Sequence, residues 1–269
     1  MEHQSLPNDV WAIGANYEPY VGRWSRLVAR KFLSWITLPP AKQWLDIGCG
    51  TGALSQLILD VASPSKVKAV DPSEEYIAFA RDQMVDTRVS FMVGDAQALP
   101  FESAQFDAVV SGLVLNFLLS PDLAVSEMQR VVRPGGIVAA YVWDYADQMQ
   151  LMRYFWDAAI KLDPAAINLD EGQRFHICKP QPLTKLFQAA KLNNIEMCAI
   201  DVPTDFRDFD DYWKPFLGGQ GPAPTYAMTL SEDHRTTLRE EIRANLPIAT
   251  DGSIHLMARA WAIRSVLPH

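Results

Sequence analysis

The sequence predicts an α/β fold with a parallel sheet and helices on both of its faces. Two observations predict it. Between residue 42 and about residue 143, short β-rich runs alternate with stretches whose apolar residues recur at helical spacing. The first of these runs ends in a glycine-rich turn, Gly48-Cys49-Gly50, that opens directly into a helical pattern.

The elements follow in order. Gln43–Ile47 reads as the first strand, and residues 52–61 as a helix with Ala53, Leu54, Leu57, Ile58 and Val61 along one side. Residues 67–70 form the second strand. Pro72-Ser73-Glu74-Glu75 starts a helix, with its acids in the first turn, that runs to about Met84. Val89–Val93 is the third strand and 106–111 the fourth. Residues 121–132 are helical until Arg133-Pro134-Gly135-Gly136 stops them, and 137–143 is the fifth strand. Beyond Trp143 the pattern loosens: a helix over 148–162, a loop over 163–180, a helix over 183–191 and a strand over 195–202. A Pro/Gly/aromatic-rich region covers 203–226, a helix runs from about Glu232 to Asn245, and 253–264 is a last strand. Residues 205–246 thus read as an insertion between two strands, a candidate lid over the site.

The 269 residues, 49% hydrophobic and 21% charged, suit one globular domain with additions and a sizeable core. With 24 Lys and Arg against 32 Asp and Glu, the net charge of −8 argues against nucleic acid or an anionic membrane as the main partner. Arg235, Arg239 and Arg243 form a basic stripe, but neighbouring acids make it read as a solvated helix face. No apolar run approaches the ~18 residues of a membrane span. The first 16 residues lack the pattern of a signal peptide. The three cysteines, Cys49, Cys178 and Cys198, are widely spaced, so neither a disulfide framework nor a thiolate metal site is expected. The scattered histidines add no metal site. A cytoplasmic location is the simplest expectation.

Glycines let the first turn bend sharply and let a ligand approach the backbone, and the helix behind it offers N–H groups and a positive dipole end. Asp71 closes the second strand about 20 residues later, the spacing at which Rossmann-type sites place a ribose-binding acid. By spacing alone, Gly48-x-Gly50-x-x-Ala53 also fits a nicotinamide dinucleotide site. Asp71 before Pro72 could equally be a helix cap.

Further segments narrow the choice. Leu45–Gly52, Val70-Asp71-Pro72-Ser73, the run from Gly94 to Phe101, and the pair 106–111 and 127–136 occur in this order. As a set they resemble the motifs of class I S-adenosylmethionine (SAM)-dependent methyltransferases, in the group that includes ubiquinone and menaquinone biosynthesis methyltransferases. The resemblance covers about residues 41–143. It implies a Rossmann-like, seven-stranded, mostly parallel sheet with the last strand antiparallel. Donor roles are implied for Asp46 at the SAM amino group, Gly48 and Gly50 beside the methionyl part, and Asp71 with Pro72 at the ribose. Asp95 and Ala96 would meet the adenine, and Ser111 and Gly112 the amino-acid end. The segment around Tyr17, Arg23 and Trp24 resembles one that folds over SAM in many members, within an N-terminal helical segment, 1–40. Cys49 reads as a small residue packed under the loop.

The implied reaction is methyl transfer to a small-molecule acceptor. Candidate bases are Asp144 and Tyr145 past the fifth strand, His176, and Asn116, which stands where several relatives place a histidine or another polar residue. The aromatics Phe206, Phe209, Tyr212, Trp213, Phe216 and Tyr226 could line a cavity for an apolar or aromatic acceptor, or form the insertion's own core. Two rivals stand beside this reading: a non-catalytic SAM-binding protein, and a nicotinamide-dependent oxidoreductase, for which no Tyr-x-x-x-Lys or similar hydride-site pair is found.

Overall fold

The computed structural model describes residues 22–218 and 221–268. Tyr17 and the rest of the segment before Gly22 lie outside them. By internal contacts the chain divides into two compact units. The larger comprises 25–144, 175–202 and the chain from 259 onward; the smaller comprises the described residues up to Trp24, with 145–174 and 203–258.

In chain order the larger unit begins with α1 (Arg23–Ile36), whose first two residues belong to the smaller unit. Next come β1 (Gln43–Ile47), α2 (Ala53–Val61), β2 (Lys66–Asp71), α3 (Glu74–Gln83), β3 (Val89–Val93), β4 (Phe106–Gly112), α4 (Pro121–Val131) and β5 (Val132–Trp143). The strand order is β3-β2-β1-β4-β5-β7-β6, with β6 (Glu196–Phe206) and β7 (Ile254–Val266) completing seven strands. Neighbours from β3 to β5 are parallel, and β7 runs antiparallel to β5. The expected seven-stranded, mostly parallel sheet with an antiparallel last strand is therefore present.

This order fixes where a ligand can sit. From β1 the chain steps outward through β2 to β3, and it then returns to the other side of β1 at β4. Right-handed crossovers put the connecting helices of the two halves on opposite faces. The crevice between them opens at the carboxyl ends of β1 and β4. The strands there are continuous apolar runs: Leu45, Ile47, Val67, Ala69, Ala108, Val109, Val110 and Val138 are fully buried. Such burial contributes on the order of 2 kcal/mol for each large side chain.

Boundaries differ from expectation where a local device overrides periodicity. Ser73, not Asp71 or Pro72, caps α3, its hydroxyl accepting from Tyr76 N at 3.2 Å. Residues 133–136 do not end a helix before a separate strand. They lie within β5 as a register shift, Phe106 facing Val132 and Ala108 facing Ile137. α7 (Pro180–Ala189) begins three residues before the expected 183, with prolines in its first turn, where a missing N–H costs nothing.

The smaller unit contains α5 (Gln150–Leu162), α6 (Glu171–Arg174), α8 (Phe209–Trp213), α9 (Pro222–Thr229) and α10 (Glu232–Asn245). The expected loop over 163–180 instead holds a 3-10 turn, Pro164–Asn168, capped by Asp163, and then α6. The aromatics of the insertion form a core. Phe206, Phe209, Tyr212, Trp213, Phe216 and Tyr226 are all buried. Phe216 stacks on Phe155 at 4.6 Å, and Tyr212 donates to Leu151 O at 2.8 Å. The basic stripe is not a purely solvated face. Arg235 donates to Ala227 O and Leu230 O, while Arg239 and Arg243 lie over the Phe209 ring.

Two buried acids stand side by side here. Asp170 forms a two-pronged pair with Arg153, at 2.9 and 2.5 Å. Glu171 takes the indole N–H of Trp156, and burial pushes its carboxyl up to about 8. Because the folded pKa lies above the unfolded one, Glu171 favours folding below about pH 4.5, and that contribution is lost as pH rises through about 8. Across pH 6 to 9 the loss is about 3 kcal/mol. Glu171→Gln keeps an acceptor for Trp156 and removes the titration. Thermal unfolding of the variant should therefore fall less steeply with pH than that of the parent chain. Parallel curves would mean that Glu171 ionises freely. Among the described residues, no helix is long and apolar enough to cross a membrane.

Candidate active site

The glycine turn leaves β1 in the left-handed region three times in five residues, with φ of +70° at Gly48, +52° at Gly50 and +89° at Gly52. Side chains rarely adopt this conformation, which explains the glycines. At Gly48 a side chain is also excluded by space, since a Cβ there would fall 2.5 Å from Val114, whereas one at Gly52 would touch only the terminal methyl of Met84, at 3.0 Å. Gly50 differs, because a Cβ there meets nothing within 4 Å. The turn is pinned to β2 by Gly48 N and Cys49 N, which both donate to Val70 O, at 2.8 and 3.0 Å. Cys49 packs with Ala69, Ile77, Ala80 and Phe91, and burial raises its thiol well above the ordinary range. It is a packing residue, as expected.

Asp71 closes the turn from the other side. Its Oδ2 accepts from Gly50 N and its Oδ1 from Ser73 N, both at 2.9 Å. Burial raises its pKa, and these two amide donors oppose the rise. A carboxylate offers about four acceptor positions, so the two amides fix its orientation and leave capacity for ligand hydroxyls. Pro72 is exposed beside it.

Asp46, on β1, is 1% exposed, and its Oδ2 accepts from the Ser55 hydroxyl at 2.6 Å. Burial pushes its carboxyl up to about 7, opposed by the Ser55 hydrogen bond and aided by the charge of Asp71. A nearby cation would restore full ionisation.

Asp95 is exposed, and its side chain accepts from Gln97 N at 2.9 Å, a local turn. Ala96 is buried. The loop is clamped from α4 by a pair that sequence reasoning assigned no role. Glu127 accepts from Leu99 N at 2.8 Å, and Arg130 donates to Phe101 O and Leu99 O while paired with Glu127. Arg130 holds the Glu127 carboxyl below its usual range. The i,i+3 spacing of these opposite charges was the available signal.

At the end of β4, Ser111 is fully buried and donates to Ile47 O at 3.0 Å, tying β4 to β1 at the crevice. Its hydroxyl is a strap for the crevice wall. Gly112 has no room for a side chain, since a Cβ would sit 2.5 Å from the Tyr141 hydroxyl. Leu113 follows with φ +61°, strain of the kind that clusters at functional sites. Asn116 lies in the 3-10 turn Leu115–Phe117, and its side-chain nitrogen is buried without a hydrogen-bond partner among the described residues. A neutral amide does not serve as a general base, but an unspent donor here suits a ligand oxygen.

Asp144 is buried in the larger unit, and its amide donates to Arg259 O at 2.9 Å. His176 is exposed. Tyr145, Arg23 and Trp24 belong to the smaller unit. There Arg23 lies over the Trp24 and Phe206 rings at 4.2 and 4.9 Å and pairs with Asp211 at 3.4 Å. Its Nε and Nη2 are buried without a hydrogen-bond partner among the described residues.

Comparison with known proteins agrees with this geometry. A family described as methyltransferase domain matches residues 45–140. The malonyl-[acyl-carrier protein] O-methyltransferase of Enterobacter lignolyticus is 32% identical, covering 56% of this chain and 61% of that protein. The 2-methyl-6-phytyl-1,4-hydroquinone methyltransferase of Synechocystis is 35% identical over 69% of this chain and 58% of its own length. The chain thus spans about three-fifths of these relatives. Phosphoethanolamine N-methyltransferase 2 of Haemonchus contortus, solved in complex with S-adenosyl-L-methionine, shares the fold with a TM-score of 0.59 at 17% identity, covering 94% of this chain and 56% of that one.

Proposed function

We propose that the chain transfers the methyl group of SAM to a small-molecule acceptor, a reading supported by the match of residues 45–140 to a family described as methyltransferase domain. The observation that carries this reading is the open space at Gly50 beside the oriented Asp71 carboxylate, a cradle that a side chain would fill. Bound there, SAM supplies a methyl already activated on a sulfonium. The chain's residues then have to bind, orient and exclude water, because positioning supplies much of the rate of an in-line displacement.

In this proposal Asp46 takes the donor's ammonium, and the backbone at Gly48 and Gly50 passes beside its methionyl part. Asp71, next to Pro72, takes the ribose hydroxyls. Asp95 accepts from the adenine amine after giving up part of its Gln97 contact, and the Ala96 amide faces a ring nitrogen. Ser111 and Gly112 shape the wall at the amino-acid end. By the family resemblance, Tyr17, Arg23 and Trp24 are assigned to donor binding as well. The segment 205–246 selects the acceptor. Among the relatives named above, the 2-methyl-6-phytyl-1,4-hydroquinone methyltransferase supports an acceptor of apolar or aromatic character. Location in the cytoplasm belongs to the same proposal.

The test is an acceptor screen with purified chain and SAM, read by mass spectrometry for a gain of one methyl group. Methylated product from a hydroquinone or carboxylic acid supports the reading. Donor binding without any product across the panel favours the non-catalytic rival.

A further inference from the structure

The buried face of α2 is apolar except at one residue. Leu54, Leu57, Ile58 and Leu59 pack inward, and between them lies Ser55, fully buried. Packing alone would be met by alanine at this position, and a buried hydroxyl costs stability unless it is hydrogen-bonded. Its partner is the Asp46 carboxylate, nine residues earlier, at 2.6 Å. Asp46 itself is held rigidly, facing Ala69 of β2 on one side and Val110 of β4 on the other. Among the described residues no basic side chain forms an ion pair with it, and the titratable groups acting on it electrostatically are Asp71 and Cys49. The carboxylate is buried, oriented by a neutral donor and, among the described residues, without a counter-charge.

We propose that Ser55 is a positioning residue for the methyl donor, its hydroxyl holding one oxygen of Asp46 so that the carboxylate is aimed to receive the donor's ammonium. This rests on the reading that Asp46 takes that ammonium. A second effect comes with the first. Ser55 lowers the pKa of Asp46 against burial and the charge of Asp71, so it keeps the carboxylate ionised at lower pH. Without Ser55, ionisation moves to higher pH, and donor affinity on the acid side falls with it.

The experiment is calorimetric titration of the full chain with SAM between about pH 6 and pH 8, with 5′-methylthioadenosine, which lacks the amino-acid end, as second ligand. Ser55→Ala is expected to weaken SAM about tenfold near pH 6.5 and less near pH 8. Methylthioadenosine affinity should stay unchanged. Ser55→Thr should restore both the affinity and the pH profile. Ser55→Cys, which keeps the volume but donates weakly, should fall between, and it serves if the alanine variant does not fold. Equal loss of both ligands with an unchanged pH profile would overturn the proposal, because a merely structural hydroxyl would act that way. Loss of SAM affinity in Asp46→Ala but none in the Ser55 variants would also overturn it while sparing Asp46. No effect in Asp46→Ala would overturn the Asp46 reading itself, and the role of Ser55 with it.

Discussion

Asp71→Ala is expected to weaken SAM binding by two to three orders of magnitude. The carboxylate is already oriented by Gly50 N and Ser73 N, so the ribose hydroxyls that the proposed function assigns to it would meet a fixed acceptor at little ordering cost. Hydrogen bonds to a charged group contribute about 1.5–3 kcal/mol each, and 1.4 kcal/mol is tenfold in affinity. The substitution also strips an acceptor from the Gly50 amide, which loosens the turn. Titration with SAM and with adenosine checks the ribose contact, since both ligands carry the ribose and both should suffer, while the melting temperature reads the loosening of the turn. A drop in melting temperature with SAM affinity intact would make Asp71 a structural residue of the turn and nothing more.

Gly48→Ala and Gly50→Ala should part company, although the two glycines are neighbours in one turn. At Gly48 an alanine meets an unfavourable φ of +70° and a side chain 2.5 Å away. The backbone costs about 1–2 kcal/mol and the overlap with Val114 about 1–3 kcal/mol. The expected loss is about 3 kcal/mol of stability, roughly 6–12 °C in melting temperature for a chain of this size. At Gly50, φ is +52° and the surroundings are empty to 4 Å, so only the backbone cost of about 1–2 kcal/mol remains. The methyl group there projects into the space assigned to the donor, so SAM affinity should drop tenfold or more. Melting curves and SAM titrations of the two variants check this directly. An alanine at position 50 that binds SAM like the parent chain would remove the cradle from the account.

Much of the sheet was legible because its signal is periodic and local. The first five strands and the helices between them repeat a βα pattern, and those strands lie within a residue or two of expectation, apart from the start of β5. The acid and glycine positions of the site were legible for a different reason. Left-handed turns and strand-end acids restrict residue type at fixed spacing. Beyond Trp143 the signal failed. A 3-10 turn at Pro164–Asn168 and short helices such as Glu171–Arg174 contain too few residues to show a period. Proline-started helices look like loops until the N1 rule is applied, as at Pro180. The aromatic cluster could not be split between cavity lining and core by sequence, because both uses demand the same residue types. Contacts across the fold were also hidden. Nothing in the string of letters marks Ser55 as the partner of Asp46; the i,i+3 spacing pairs Glu127 with Arg130 but does not show that the pair clamps the loop ending at Phe101, and the strained φ of Leu113 falls on a residue type that does not advertise it.

The central claim is that the glycine turn and its acids hold SAM, and the spacing that also fits a nicotinamide dinucleotide makes the decisive comparison a simple one. Calorimetric titration of the purified chain with SAM and, in parallel, with NADH tests it most directly. The account predicts a micromolar dissociation constant for SAM and no measurable heat with NADH. Tight NADH binding with no heat from SAM would contradict it.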